Sequence, residues 1–459
     1  MDSDAAADYK LKLKRAAVDV KRLDDGTLIM RSPYGLAAPA THPLVWLRKW
    51  AAETPDEIFV AERDAGAAHG WRTLIYEDAL AGAETIAAKF VKRGLSQSRP
   101  VATLAASGID HALIRLAAMR ACIPVVGLDP AISEFASAEY LAAAWELTSP
   151  GLLYVDDETL HAGALKMALD AGAEIVVPSG IPKLAKRGLF SSGFKGPDPD
   201  GAAIATINLA GAETGAFELS KLRAVAASFA DICWEQEAVA AIAPHLTSVR
   251  PVIADFRSWH RRDAGNLLFN AALRCGGSIC IENILTYTMS AGTPLPAPTV
   301  HFVDASTVYA LLAHLELNTD AGSLFFRRLD GIWIYGGTLP QVAMDKLADM
   351  AVQGSGHKIP IFYGFHGDRS PVIGMARWFE STHSRNLGLP LPGNFARLEP
   401  EGEVASGEDG EVYALHLMAP VGGQDLDPDD AGNYTDTGQR VRLIDAMRPY
   451  LGVEPAPKS

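Results

Sequence analysis

Residues 99–130 read RPVATLAASGIDHALIRLAAMRACIPVVGLDP, and this stretch carries the pattern that decides the fold. Val101 to Leu104 is a short apolar run, Asp110 to Cys122 places Leu, Ile and Ala at helical spacing, and Val125 to Leu128 is a second apolar run. Strand, helix and strand in that order make a parallel crossover. Such strands are apolar throughout because helices cover both faces of the sheet.

The alternation extends in both directions. Before it, Leu44, Trp46, Leu47 and Trp50 mark an amphipathic helix from Pro43, and Thr54-Pro55-Asp56 ends it. Ile58 to Ala61 and Trp71 to Ile75 read as strands, followed by a helix from Asp78 to Arg93 that stops at Gly94. After it come Leu152 to Val155, a helix beyond Asp157, and Glu174 to Val177. A Gly-, Pro- and Asp-rich linker spans Ser191 to Gly201, and a second alternating region runs to about Met375. Beyond Asn386 the segments shorten, with Glu411 to Leu417 the clearest strand. The reading is an α/β protein of two doubly wound subdomains and a small β-rich cap: an extension over 1–42, subdomains over 43–200 and 201–384, and a β-rich part over 385–459. Lys10, Lys12 and Lys14 alternate as an edge strand would.

Composition narrows the function. A chain of 459 residues, 48% hydrophobic, exceeds what one core organises. Its formal charge of -14 offers no general attraction to phosphate backbones, which excludes nucleic acid as a first reading. No run of about 18 apolar residues is present and the start has no apolar signal core, so neither a membrane partner nor export is expected and the chain is placed in the cytoplasm. Cys122, Cys233, Cys275 and Cys280 lack the spacing of a disulfide framework or a metal site, and no metal is assigned.

Arg31-Ser32-Pro33, the Trp50 to Arg63 stretch and Arg99 to Pro130 resemble the amino-terminal part of feruloyl-CoA synthase, a member of the adenylate-forming (AMP-binding) acyl-CoA synthetase superfamily. The resemblance continues through Pro298-Thr299-Val300-His301-Phe302, Leu324 to Pro340 and Asn386-Leu387-Gly388-Leu389-Pro390-Leu391-Pro392-Gly393. It implies the large domain of such ligases, in which a carboxylic acid attacks the α-phosphate of ATP and coenzyme A then displaces AMP.

The charge-handling motifs depart from the family. Its serine- and threonine-rich phosphate loop with a lysine corresponds to Gly211-Ala212-Glu213-Thr214-Gly215-Ala216-Phe217-Glu218, which retains Gly211, Thr214 and Gly215 and carries Glu218 at the lysine position. Lys221 or Arg223 can reach back across a longer loop. The metal-binding threonine-glutamate pair aligns with Asp368-Arg369, exchanging a carboxylate for a cation, although Asp368 can take the ligand role if Arg369 turns to a phosphate. The ribose-binding aspartate aligns with Gln439, with Asp436 as the substitute if the loop shifts. The resemblance also implies that Tyr335-Gly336-Gly337 and Tyr363-Gly364 stand beside adenine, or that these glycines serve only tight turns. The family's acid-pocket segment aligns with Trp259-His260-Arg261, and His301 is a further pocket candidate. His260, Arg261, Arg262 and Asp263 can bind an anion through forked guanidinium donors, or pair among themselves as a solvated loop. The chain stops at Ser459, near where the family's hinge leads to its carboxy-terminal lid, so the lid is expected to be missing from this chain.

Two functions follow. In the first, a catalytically degenerate homologue binds an aromatic or acyl carboxylate, its CoA thioester, a partner synthetase or a second copy of itself, with no catalytic residue assigned and no cofactor certain. In the second, an active acid–CoA ligase uses ATP, Mg²⁺ and CoA with the altered motifs, and another chain supplies the lid.

Overall fold

The computed structural model describes residues 9, 13–64, 66, 70–131, 138–186, 194–211, 219–243, 250–255, 258–282, 294–335, 339–367, 369–401, 411–419, 424, 426–445 and 452–456. The chain divides into two compact units, one of residues 39–236 and 256–281, the other of residues 1–38, 237–255 and 282–459.

In the first unit the crossover over 99–130 is present: the strand Val101–Leu104 lies parallel to Val125–Leu128, with the helix Ile109–Arg120 between them in sequence. All four residues of each strand are buried, as a sheet covered on both faces requires. Leu152–Val155 adds on the other side of Val101–Leu104, and Glu174–Val176 beyond it, both parallel. Ile204–Ala210 joins Val125–Leu128 in parallel, and Arg223–Ser228 closes the edge antiparallel, making six strands. Leu104, Val126, Leu128, Leu153 and Val155 meet Tyr140, Leu141 and Ala144 from the helix Ala138–Thr148 in a continuous core. The strands Ile58–Arg63 and Trp71–Ile75 pair antiparallel, with Ser278–Ile281 parallel to the first.

The helix expected over 78–93 begins two residues earlier, at Tyr76, and ends at Lys92. Tyr76 is fully buried, and its hydroxyl donates to the carbonyls of Gly277 at 2.7 Å and Ala272 at 3.3 Å. Those two anchors draw the aromatic residue into the helix start, an influence from distant sequence that local periodicity does not carry.

The second unit has two sheets. In one, Val252–Ala254, Val300–Asp304, Gly331–Tyr335 and Ile361–Phe365 run parallel in that order, and Met375–Arg377 and Leu389–Pro390 follow antiparallel. The other is antiparallel throughout, in the order Asp19–Arg22, Leu28–Arg31, Phe395–Pro400, Tyr413–Met418, Thr435–Leu443 and Val453–Pro455. The β-rich cap thus recruits two strands from the start of the chain. Lys10 and Lys12 lie outside the described residues, while residues 13–18 form no strand, so the edge strand begins at Asp19 instead.

Among the described residues, two that bear side chains hold left-handed backbone, Cys122 at φ 56° and Ser149 at φ 46°. Cys122 stands just past the helix Ile109–Arg120, where a glycine avoids the clash of Cβ with the backbone. Cys122→Gly is therefore expected to raise the unfolding temperature, by an amount equivalent to about 0.5–1 kcal/mol. A fall in that temperature would contradict this account of the helix end.

Candidate functional site

In the first unit the hairpin between Ile204–Ala210 and Arg223–Ser228 carries the phosphate-loop counterpart. Gly211 opens it at φ 94°, and a Cβ there would stand 2.2 Å from the Lys221 carbonyl oxygen, so only glycine fits. Arg223 pairs with Ala210 across the hairpin and so stands at its closing end. Thr214 and Gly215 lie outside the described residues.

The segment Trp259 to Gly265 is clamped onto the same sheet. Asn208 Nδ2 donates to the His260 carbonyl at 2.6 Å, and Gly127 lets that backbone approach: a Cβ at 127 would meet His260 Cα at 2.7 Å. His260 Nε2 stands 3.6 Å from Asp129 Oδ2. The Trp259 ring is fully buried, with centroids 5.0 Å from Phe269 and 5.3 Å from His111. Arg261 lies 3.5 Å from Asp263, so the guanidinium fork turns toward its own segment.

Arg115 organises this segment and was missed by the sequence reading. Its Nη1 donates to the Trp259 carbonyl at 3.3 Å and its Nη2 to the Gly265 carbonyl at 2.6 Å, while the guanidinium carbon sits 5.2 Å from the Phe269 ring centre. Burial pushes its pKa down to about 10, which leaves it cationic at neutral pH. Gly265 has no room for a side chain, since a Cβ would stand 2.2 Å from the Trp259 carbonyl oxygen. The backbone then winds as a π-helix over Asp263–Leu268, a form frequent at functional sites. The available signal was Arg115 itself, a cation within an apolar helix one turn after His111. His111 is buried, with Nδ1 3.0 Å from the Ala106 carbonyl oxygen, and burial pushes its pKa down to about 3.

In the second unit the residues that the resemblance sets beside adenine lie on adjacent parallel strands, Ile334 opposite Tyr363 in the register that puts Tyr335 at the neighbouring strand end. Gly336 and Gly337 lie outside the described residues. Gly364 accepts close packing, its missing Cβ leaving room for Ile373 Cδ1, which would otherwise stand at 2.6 Å. The guanidinium of Arg377, which is 1% exposed, covers the Tyr363 ring at 4.1 Å and donates to the carbonyls of His383 and Ser384.

The turn that aligns with the family's metal pair and the strand that aligns with its ribose aspartate meet. A Cβ on Gly367 would touch Thr437 Cα at 2.8 Å, so the turn leading to Arg369 packs against the strand that carries Gln439. Arg369 is exposed and Gln439 is half-buried. Asp436, the possible substitute, uses Oδ1 to accept from the Gly438 amide at 2.8 Å and so closes its own turn. Thr437 Oγ1 donates to the Leu415 carbonyl at 2.6 Å and fixes the strand. Asp368 lies outside the described residues. His301 is enclosed in the core, its ring stacked on Phe325 at 4.4 Å, and burial pushes its pKa down to about 3. Among the described residues, no group of three His, Cys, Asp or Glu side chains is placed to hold a metal ion, and no helix is long and apolar enough to cross a membrane.

No family model and no curated protein matches this sequence. Solved structures do. MatB from Rhodopseudomonas palustris with ATP bound superposes with a TM-score of 0.65 at 16% identity, over 90% of this chain and 78% of that one. VinN superposes with a TM-score of 0.68 at 16% identity, over 92% and 100%. The O-succinylbenzoate coenzyme A synthetase MenE from Bacillus subtilis, in complex with AMP, gives 0.64 at 14% identity, over 89% and 77%. At these identities the likeness establishes a shared fold.

Two predictions arise here. Arg115→Met leaves the Trp259 and Gly265 carbonyls buried without their charged donor and is expected to cost about 2–4 kcal/mol, read as a lower denaturation midpoint with loss of the near-ultraviolet signal of Trp259. An unchanged midpoint would show that the clamp is dispensable. His301 has a folded pKa below its ordinary 6.5, so the unfolded chain takes up the proton first and stability falls as pH drops from about 6.5 toward 3. His301→Leu is expected to flatten the acid side of the stability profile, and an unaltered slope would exclude His301 as its source.

Proposed function

We propose that this chain is a feruloyl-CoA-synthase-like member of the adenylate-forming superfamily that binds a small aromatic or acyl carboxylate, or its CoA thioester, without forming an adenylate. The observation that carries the reading is the meeting of the Gly367 turn with the Thr437 strand, which brings Arg369 and Gln439 to adjoining elements. The resemblance calls for a carboxylate at each of those two positions, one beside a divalent ion and one under the ribose. A cation and a neutral amide stand there instead.

The magnitude favours loss of nucleotide chemistry. Two unit charges about 4 Å apart at an effective dielectric near 20 interact by roughly 4 kcal/mol, and Arg369 turns that attraction for a metal into repulsion. About 1.4 kcal/mol is a factor of ten in rate, so this exchange alone removes most metal-assisted turnover. Gln439 still accepts hydrogen bonds, but without the charge assistance of a carboxylate. Asp436 is engaged in its own turn. These residues do not suit a magnesium–polyphosphate complex. VinN was solved with L-aspartate and MenE with AMP; the carboxylate side is the one this reading retains.

The test is acid-dependent pyrophosphate exchange with ATP, Mg²⁺ and a panel of hydroxycinnamic acids, beside thermal unfolding with each ligand. No exchange above an Arg223→Ala control is expected, with stabilisation by an acid or its thioester and none by ATP. Exchange above that control would establish the second reading, an active acid–CoA ligase, in its place. The paired substitution Arg369→Glu with Gln439→Asp is expected to introduce stabilisation by magnesium–ATP; absence of that gain would remove these two residues as the cause.

A further inference from the structure

The buried guanidinium of Arg115 spends two of its three nitrogens on the Trp259 and Gly265 carbonyls. The third, Nε, is buried and has no hydrogen-bond partner among the described residues. Of the other buried polar atoms in that condition, Thr206 Oγ1 and Asn270 Oδ1 belong to residues beside Arg115 at the same cavity. All three residues line one small cavity of about 20 Å³, walled otherwise by apolar side chains that include Met119, Val125 and Phe269. They come from three separate elements: the helix Ile109–Arg120, the strand Ile204–Ala210 and the helix Phe269–Cys275.

We propose that this cavity is a binding site for one internal water molecule, bridging Arg115 Nε, Thr206 Oγ1 and Asn270 Oδ1. The size suits a single water, which needs roughly 10–15 Å³. The donor pattern distinguishes water from an anion. Asn270 Nδ2 donates to the Asn266 carbonyl at 2.7 Å, which fixes the amide with Oδ1 as the free end, and that oxygen is an acceptor. An anion would face this oxygen unfavourably. Water instead accepts from Arg115 Nε–H and donates to Asn270 Oδ1, leaving its second proton or a lone pair for the Thr206 hydroxyl, so three groups are satisfied at once.

The site also explains how the cation is held in place. With Nε tied to the strand and to the Phe269–Cys275 helix, the guanidinium plane is fixed, and Nη1 and Nη2 remain aimed at the two carbonyls of the Trp259 to Gly265 segment. The water is thereby a positioning element for that segment. The site is independent of what the protein binds.

A crystal structure of the full chain near 1.5 Å resolution is expected to show one ordered water within about 3.2 Å of all three atoms. A dry cavity, a chloride identified by anomalous scattering, or the three groups paired with one another would overturn the proposal. Thr206→Val provides a second readout in solution. If water bridges the site, removing the hydroxyl breaks a satisfied bond and lowers the unfolding temperature. If the cavity is dry, the same change removes an unsatisfied buried hydroxyl and leaves that temperature unchanged or raises it, which contradicts the proposal.

Discussion

A buried guanidinium with no carboxylate beside it among the described residues is the constraint around which the first unit's candidate site is built. A charge removed from water demands compensation, and Arg115 finds it in backbone carbonyls, which cannot be replaced by mutation as a carboxylate partner could. The Trp259 to Gly265 backbone must therefore take a path that presents those carbonyls inward. Gly127 and Gly265 are glycines because that path leaves no space for Cβ. The π-helix over Asp263–Leu268 continues the same constraint into the following helix.

The second unit solves a different problem with related means. Arg377 is enclosed against Tyr363 and held by the His383 and Ser384 carbonyls, so the aromatic face that the resemblance sets beside a base is met by a cation from the same sheet. In the unit's antiparallel sheet, Thr437 locks against Leu415 and admits the Gly367 turn. At the two positions where the resemblance calls for carboxylates, Arg369 and Gln439 stand on these adjoining elements. Under the function proposed above, fold and function have separated here, since function lives in the residues a framework presents and not in the framework itself.

Much of the framework was legible because buried parallel strands advertise themselves as short apolar runs. Val101 to Leu104, Val125 to Leu128 and Leu152 to Val155 were readable for that reason and stand where the pattern put them. Less legible was whatever depends on pairing across long sequence separation. The strands Asp19–Arg22 and Leu28–Arg31 carry no strong alternation, and only their partner Phe395–Pro400 makes them strands. Arg115 looked like an ordinary helix cation because its acceptors lie about 150 residues away. His301 read as a pocket residue, while its stacking on Phe325 encloses it in the core. Thr214, Gly215, Gly336, Gly337 and Asp368 fall outside the described residues, so for them motif alignment is all there is.

The central claim is that the groups once required to balance a polyphosphate and its metal have been exchanged while the scaffold was kept. Titration calorimetry of the purified chain with ATP, carried out with and without Mg²⁺, addresses it most directly. The account predicts no saturable heat at millimolar nucleotide and no change on adding the metal. A Mg²⁺-dependent site of micromolar affinity, corresponding to about 8 kcal/mol of binding free energy, would contradict it.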